Sequence, residues 1–326
     1  MEVRKTNKKI NYSFQLLRLI LAFWVVLHHC CKNVGKFKGR FHIPTFMIMS
    51  FYFYYNTLKE HNIFKKKQRF QRISIPYIIW PICTFICNNI LFKSFGFSQY
   101  NRNLYIKDLV LQLVFGMNYH SIFYYQFNLI FLTIIFSIIS LLFKKSFIFI
   151  FQILLIVAYI FQYSYWSFNF FREYSYIIYS LGLLFELLPF AVIGVTLNHL
   201  DAISNLENFK ILVIFFILVI VFLILKFDIF VRIRGYFYPG IFFNIGGTCI
   251  FILFSLFSFQ NKKIIFILKI ITKFTGGIYY IHMICYSVLT RKIFFVLNQT
   301  FHGSILIYLI CYIICYLGDK MTYKTN

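Results

Sequence analysis

An arginine and a histidine in the first apolar run have the residue types and the spacing that chemistry could use. The run Phe14–His29 is long enough to cross a bilayer, and it contains Arg18 and the pair His28 and His29. Ionisable groups are costly inside such a segment and usually have a function there. Eleven helical steps of about 100° place His29 within roughly 20° of Arg18, some ~16 Å further along the axis. One helix face therefore carries a permanent cation and a titratable base.

These two side chains suit different parts of a group-transfer reaction. A buried, neutral imidazole such as that of His29 can take a proton from a hydroxyl group near neutral pH. The Arg18 guanidinium stays charged and can bind a phosphate through two hydrogen bonds. The spacing alone equally allows Arg18 to extend to lipid headgroups and His29 to hydrogen-bond a neighbouring helix. His28 points about 100° away from His29, so we expect it to be structural.

Two later segments contain further candidates. Arg69 and Arg72 share a helical face in a dense basic stretch, and such a face could bind a polyphosphate. Composition alone favours a plainer role for this stretch, as a loop that orients the protein and contacts lipid headgroups. His282 lies in an apolar run after the paired Gly276 and Gly277, which would let helices approach closely. His282 either lines a cavity or makes an interhelical hydrogen bond.

The composition predicts the fold that must position these residues. Of the 326 residues, 60% are hydrophobic, and 46 Phe and 25 Tyr exceed what a soluble core of this size could bury. The fold class is therefore an all-α polytopic membrane protein. The net charge of +24 is concentrated in short connections between apolar runs, where it sets topology and meets anionic lipids. That distribution argues against nucleic acid as a partner.

The apolar runs predict one bundle of about ten transmembrane helices. We divide the chain into a basic cytoplasmic N-terminus (1–13), one transmembrane domain (14–318) and a cytoplasmic tail (319–326). Lys and Arg are more frequent in the connections placed inside, so both termini are expected in the cytoplasm. The amphipathic stretch 105–118 is expected at the interface, and Pro81 interrupts the third span, which a tilted or re-entrant segment would explain. The predicted spans are residues 14–34, 43–58, 74–92, 121–143, 146–166, 175–199, 209–227, 236–259, 274–290 and 302–318.

Five motifs follow one another from about residue 14 to residue 290 and so cover most of the chain. They are Arg18 with His29, the stretch Ile43–Ser50, the segment Arg69–Tyr77, the run Leu188–Gly194 and the run Gly277–His282. In type and order these motifs resemble those of the integral-membrane acyltransferase family 3. Two positions depart from the family pattern. Phe51 replaces the usual glycine and could narrow a tunnel, and Gln126-Phe127-Asn128 only loosely matches a Trp-Phe pair.

The resemblance implies transfer of an acyl group, usually acetyl, from cytosolic acyl-CoA to a hydroxyl of an extracytoplasmic or lipid-linked saccharide. It implies that Arg18, Arg69 and Arg72 bind the nucleotide end of the donor. It also implies that His29 acts as general base or briefly carries the acyl group, with His282 supporting it.

Such a transfer needs no metal, and the eight scattered cysteines predict none. Richness in Ile, Phe, Lys and Asn is compatible with a bacterial source, which would place the protein in the inner, or plasma, membrane. An exporter or flippase of a glycan or lipid-linked sugar is the alternative function. It would be expected to spread polar groups over many helices, whereas charged residues inside the predicted spans are few.

Overall fold

The structure is a computed structural model, and it describes most of the chain. The described residues are 12–30, 41–86, 89, 105–116, 123–167, 176–202, 206, 209–211, 213–214, 216–217, 241–292 and 300–323. Within these ranges the protein is helical and contains no strand, which confirms the all-α fold class. The predicted span 209–227 lies mostly outside the described residues.

The helices follow the apolar runs of the sequence. Their bounds are α1 (Tyr12–Cys30), α2 (His42–Lys59), α3 (Ile63–Ile86), α4 (Ile106–Phe115), α5 (Phe123–Leu142), α6 (Phe147–Ser167), α7 (Tyr176–His199), α8 (Ile241–Ser255), α9 (Lys262–Thr272), α10 (Thr275–Lys292) and α11 (Phe301–Tyr323). α4 falls inside the stretch predicted to be amphipathic, and it exposes an apolar stripe of Ile106, Val110 and Val114. α11 continues to Tyr323, beyond the predicted end of the transmembrane domain.

α3 joins two segments that the sequence analysis had treated separately. The basic stretch was predicted to be a connection, but it forms the first turns of a helix that continues into the apolar part. Pro76 and Pro81 both lie inside this helix, so Pro81 does not end it. A proline removes one backbone hydrogen bond and tends to kink a helix, but it does not require a break. The basic side chains are therefore fixed on the same rod as the apolar segment.

α9 was not predicted, because its lysines were assigned to a connection. Asn261 caps its first turn, since the Asn261 side-chain oxygen accepts hydrogen bonds from the backbone nitrogens of Lys263 (2.9 Å) and Ile264 (3.4 Å). The helix then exposes large apolar side chains such as Phe266 and Ile267. α9 is followed closely by α10, and together they form an apolar segment.

Four segments of the described chain are long and apolar enough to cross a membrane: Tyr12–His29, Phe123–Leu142, Gly182–His199 and Lys262–His282. α6 also exposes a broad apolar surface, which includes Phe149, Ile156 and Ile160. Exposed apolar surface on this scale is expected of a protein surrounded by lipid. The protein is a helical membrane protein, and the count of about ten spans remains a prediction.

α2 lies in the larger of two hydrophobic cores and makes its most extensive described contact with α7. The two backbones touch at Gly194, where an added Cβ atom would lie 2.3 Å from the carbonyl oxygen of Ile48 and 3.0 Å from the backbone nitrogen of Tyr52. No side chain fits in that space, so the sequence needs glycine at this position.

The second core joins α1 to α10 and α11 through Val26, Ile278 and Cys311. Of the paired glycines at the start of α10, only one lies in a close helix contact among the described residues. A Cβ atom on Gly277 would lie 2.6 Å from Sγ of Cys315, whereas one on Gly276 would meet nothing within 4 Å among the described atoms. α1 contributes to both cores, with Phe14, Leu17 and Leu21 in the larger and Val26 in the smaller.

Candidate active site

α1 carries Arg18 and His29 on one uninterrupted helix, and both residues are half-buried. Arg18 Nη1 donates a hydrogen bond to Gln15 Oε1, one turn earlier (3.3 Å). The partner is a neutral amide, and no carboxylate pairs with Arg18 among the described residues. The guanidinium charge is therefore not neutralised by that contact and can bind an anion.

α10 brings His282 beside His29, with the two ring centroids 5.5 Å apart. His282 is fully buried, and its Nδ1 bonds the backbone carbonyl of Tyr279 (2.7 Å). Because a carbonyl oxygen can only accept, Nδ1 of His282 carries the ring proton. Nε2 is then an acceptor, and it has no hydrogen-bond partner among the described residues. The pair thus includes one imidazole that is held in a single tautomer with a basic nitrogen available.

Two further histidines extend this pair into a row. The ring of His28 lies 5.3 Å from that of His29 and 5.6 Å from that of His42. His42 is the first residue of α2 and is buried. His28 therefore belongs to a line of four imidazoles that crosses three helices, although its helical position indicated a separate face. No group of three metal-binding side chains converges within the described chain.

A second centre forms around Arg69, where α3 faces α2. Arg69 Nη2 donates a hydrogen bond to Ser50 Oγ (2.8 Å), and the guanidinium carbon lies 4.1 Å from the centre of the Tyr54 ring. The Tyr54 hydroxyl is 2.6 Å from Ser137 Oγ on α5. Ser137 donates its own proton to the carbonyl of Thr133 (2.5 Å), so Tyr54 must be the donor in this bond. Arg69 is thereby fixed by side chains of α2, one of which is itself tied to α5.

Phe51 packs into the core at this centre. The Phe51 side chain is fully buried, and its ring centroid lies 4.7 Å from that of Phe136 and 5.3 Å from the guanidinium carbon of Arg69. The large side chain at this position therefore makes a cation–π contact with Arg69. This is the place where the sequence pattern led us to expect a narrowed tunnel.

Two tyrosines connect the arginine centre with the histidines. Tyr125 on α5 interacts electrostatically with Arg69, and its ring lies 6.1 Å from that of Tyr279. The Tyr279 ring in turn lies 6.2 Å from that of His282. An aromatic line with hydroxyl groups therefore joins the cation on α3 to the imidazole on α10. These residues are too common in this chain for their types alone to have singled them out.

The other predicted site residues are placed differently. Arg72 is exposed on α3, one turn beyond Arg69, and it makes no hydrogen bond or ion pair to another described residue. Lys66, one turn before Arg69, is buried although its neighbours in sequence are exposed. The spacing of Arg69 and Arg72 identified that pair in the sequence. Nothing in the sequence indicated that the Lys66 side chain would be buried. His42 and Tyr125 were also not singled out.

Comparison with known proteins shows which family the chain belongs to. A protein-family model described as an acyltransferase domain, acyltransferase family 3, matches residues 11–319, nearly the whole chain. No curated protein and no solved structure matches the chain. The matched region contains both the histidine row and the arginine centre. The chain belongs to acyltransferase family 3 and is a membrane acyltransferase of that family.

Proposed function

We propose that the protein transfers an acyl group, normally acetyl, from cytosolic acyl-CoA to a hydroxyl of an extracytoplasmic or lipid-linked saccharide. The observation that carries this proposal is the contact between His29 and His282, where one imidazole is held as a base beside another. A paired base of this kind suits deprotonation of a hydroxyl group. The buried arginine centre, joined to the histidines by tyrosines, supports an anionic donor that enters from the other end.

The donor end of the proposed site consists of Arg18 and Arg69, with Arg72 as an outer contact of the nucleotide because its side chain is exposed. Guanidinium groups suit the phosphates of CoA because they stay charged and bind through two parallel hydrogen bonds. Arg18 and His29 are about 16 Å apart along α1, which is close to the reach of a pantetheine arm. The thioester would then lie near the histidines while the nucleotide stays at the cytosolic face.

The chemical step needs only these groups. His29 takes the proton of the acceptor hydroxyl, and the alkoxide oxygen forms a bond to the thioester carbonyl carbon. The carbon–sulfur bond breaks, and the CoA thiolate leaves with the proton that His29 had taken. His282 Nε2 is available as a second acceptor of the proton, since Nδ1 of the same ring bonds the Tyr279 carbonyl. Alternatively, His29 carries the acyl group briefly before the hydroxyl attacks.

The location of the protein follows from the same proposal. The donor is cytosolic, so the basic segment with Arg69 should face the cytoplasm, which places both termini there under the positive-inside rule. The net charge of +24 suits a bilayer with anionic lipids. A bacterial plasma membrane satisfies these conditions.

The test uses membranes that contain the full-length protein, radiolabelled acetyl-CoA and a saccharide acceptor fraction. We expect label in the saccharide with the wild type, and at least a ~100-fold lower rate with His29→Ala, because a general base typically contributes that much. Arg18→Ala should weaken CoA binding while the protein remains folded. His302→Ala is the matched control, because His302 is exposed on α11. Undiminished transfer by His29→Ala, or unaltered CoA affinity in Arg18→Ala, would contradict the assigned roles.

A further inference from the structure

Lys66 is directed differently from its two neighbours in sequence on α3. The side chains of Lys65 and Lys67 are exposed, whereas Lys66 is only 6% exposed. Its Nζ donates a hydrogen bond to Ser140 Oγ on α5 (2.6 Å). Lys66 precedes the apolar part of α3, and burial lowers the pKa of its ammonium group because the charged form loses its hydration. A lysine of this kind is costly, so its position inside the protein calls for a reason.

Lys66 and Arg69 are three residues apart and lie on the same side of α3, about 5–6 Å apart at their Cβ atoms. Both reach hydroxyl groups of a common layer. Lys66 bonds Ser140, while Arg69 stacks on Tyr54, whose hydroxyl bonds Ser137 one turn before Ser140. Lys66 therefore contacts α5 and Arg69 contacts α2, both from the same side of α3. This layer is lined by hydroxyl groups, which can share their bonds with an incoming ligand.

Neither cation is neutralised by the described part of the chain. Lys66 and Arg69 form no ion pair with a described carboxylate, and their hydrogen bonds go to neutral oxygens. Arg69 Nε is buried and has no hydrogen-bond partner among the described residues. Two neighbouring cations, Lys66 buried and Arg69 half-buried, repel each other, and an unused N–H donor adds a further cost. An anion that binds between them would remove both costs.

We propose that Lys66 and Arg69 form a buried seat for a phosphoryl group, with Arg72 outside it. Arg69 offers Nε and an Nη nitrogen as a fork for two phosphate oxygens, and Lys66 supplies a third donor and a second positive charge. This inference rests on the proposed function in one respect, because a phosphate of the acyl-CoA donor is the expected occupant. A phosphodiester of an anionic lipid headgroup offers the same chemistry.

The test measures binding by the purified full-length protein in nanodiscs made of phosphatidylcholine alone. The probes are CoA, dephospho-CoA, pantetheine and inorganic pyrophosphate, and the readouts are affinity and the shift in unfolding temperature. Lys66→Met removes the charge but keeps the apolar stem. Lys67→Met makes the same change in charge at an exposed neighbour on the same helix. A second set of nanodiscs contains phosphatidylglycerol and identifies a lipid occupant.

We expect Lys66→Met to weaken binding of CoA and pyrophosphate by about tenfold or more, the size of one lost charge-assisted hydrogen bond. Binding of pantetheine, which lacks the nucleotide phosphates, should not change, and Lys67→Met should behave as the wild type. The ligand-free Lys66→Met protein should be at least as stable as the wild type, because a buried charge has been removed. If a headgroup is the occupant, phosphatidylglycerol should raise the unfolding temperature of the wild type but not of Lys66→Met.

Equal affinity for every phosphate probe in Lys66→Met and Lys67→Met, in both lipid mixtures, would overturn the proposed seat. A second result would also overturn it: a ligand-free Lys66→Met protein that is less stable than the wild type but binds the phosphate probes with unchanged affinity. Lys66 would then serve only to join α3 to α5. The proposed acyl transfer is tested separately by the labelling assay. If the protein shows no acetyl transfer but binds pyrophosphate in a way that depends on Lys66, the phosphoryl seat is supported and the proposed acyl-CoA donor is rejected.

Discussion

At the scale of single residues, the state of the His282 ring determines what the histidine row can do. Its Nδ1 bond to the Tyr279 carbonyl is a local bond within α10, made three residues back along the same helix. Such a bond fixes both the tautomer and the ring orientation, as the partner of a catalytic histidine often does. A structural histidine would make the same Nδ1 bond, so the function of Nε2 distinguishes the two roles.

Two substitutions at His282 separate these roles. Asn can donate from its amide to the Tyr279 carbonyl as Nδ1 does, but it lacks the basic Nε2. If His282 handles a proton, we expect both His282→Asn and His282→Ala to lower kcat by about 100-fold. If the ring is only structural, Asn should restore most of the activity that Ala loses. The measurement is kcat for acetyl transfer, together with the unfolding temperature of each variant.

Arg69 provides a second prediction at this scale. A lysine at this position keeps the charge but has no fork and a different shape over the Tyr54 ring. We expect Arg69→Lys to raise KM for acyl-CoA by about tenfold while kcat changes much less, because the lost contacts hold the donor and not the reacting atoms. Steady-state kinetics at varied acyl-CoA concentration measure this split. A fall in kcat with unchanged KM would place Arg69 at the chemistry instead.

Sequence reasoning finds some of these residues and misses others for a physical reason. Arg18 and His29 are conspicuous because a charged or titratable group is rare inside an apolar run. Tyr125 is a buried aromatic residue in a chain with 25 tyrosines, so its type carries no signal. Lys66 looks like one lysine of a basic stretch, and only the rotation of α3 shows that it is buried while Lys65 and Lys67 are exposed.

At the scale of elements, the crossing of α2 and α7 positions the arginine centre. Ser50, Phe51 and Tyr54 all lie on α2 within six residues of Ile48, whose carbonyl meets Gly194. Asn198 Nδ2 also donates to the backbone carbonyl of Tyr52 (2.8 Å). Any separation of these two helices would displace the side chains that hold Arg69.

We therefore expect Gly194→Ala to destabilise the protein by about 1–3 kcal/mol or more, because the new methyl group meets backbone that cannot rotate away. The binding of acyl-CoA should weaken with it. Gly276→Ala is the matched control, since a Cβ atom there meets no described atom within 4 Å and alanine favours a helix. Thermal unfolding in detergent compares the two variants. Equal stability of Gly194→Ala and Gly276→Ala would show that α2 and α7 are not so closely packed.

The helices, like the site residues, could be predicted from the sequence only in part. Most helices follow from apolar runs, because hydrophobic length and periodicity identify them directly. The continuity of α3 through its basic first half, and the whole of α9, did not follow, since charge and proline were taken as signs of a connection. In both helices the backbone hydrogen bonds continue through polar sequence. The lysines at their starts lie on helix surface that lipid headgroups or water can reach, apart from the buried Lys66.

At the scale of the whole molecule, the charge distribution and the apolar runs together predict an orientation in the membrane. The proposed donor requires the start of α3 to face the cytoplasm, and the positive-inside rule places the two termini on the same side. We predict that green fluorescent protein fused to either end is fluorescent in bacterial cells. A fusion of alkaline phosphatase after Gly116, just past α4, should be active because that position is expected outside. An inactive phosphatase with dark terminal fusions would invert the topology and remove cytosolic acyl-CoA from reach of Arg69.

The contact between Trp80 and Tyr280 gives this protein an optical property of its own. Trp80 belongs to α3, which carries Arg69, and Tyr280 belongs to α10, which carries His282; their rings stack nearly parallel, with centroids 5.7 Å apart. Indole emission depends on what touches the ring, so the dye-free fluorescence of Trp80 reads the spacing of these two helices. Replacing Trp24 and Trp166 with Phe would leave Trp80 as the single tryptophan, and stopped-flow recording with excitation selective for tryptophan could then time the arrival of a donor without any label.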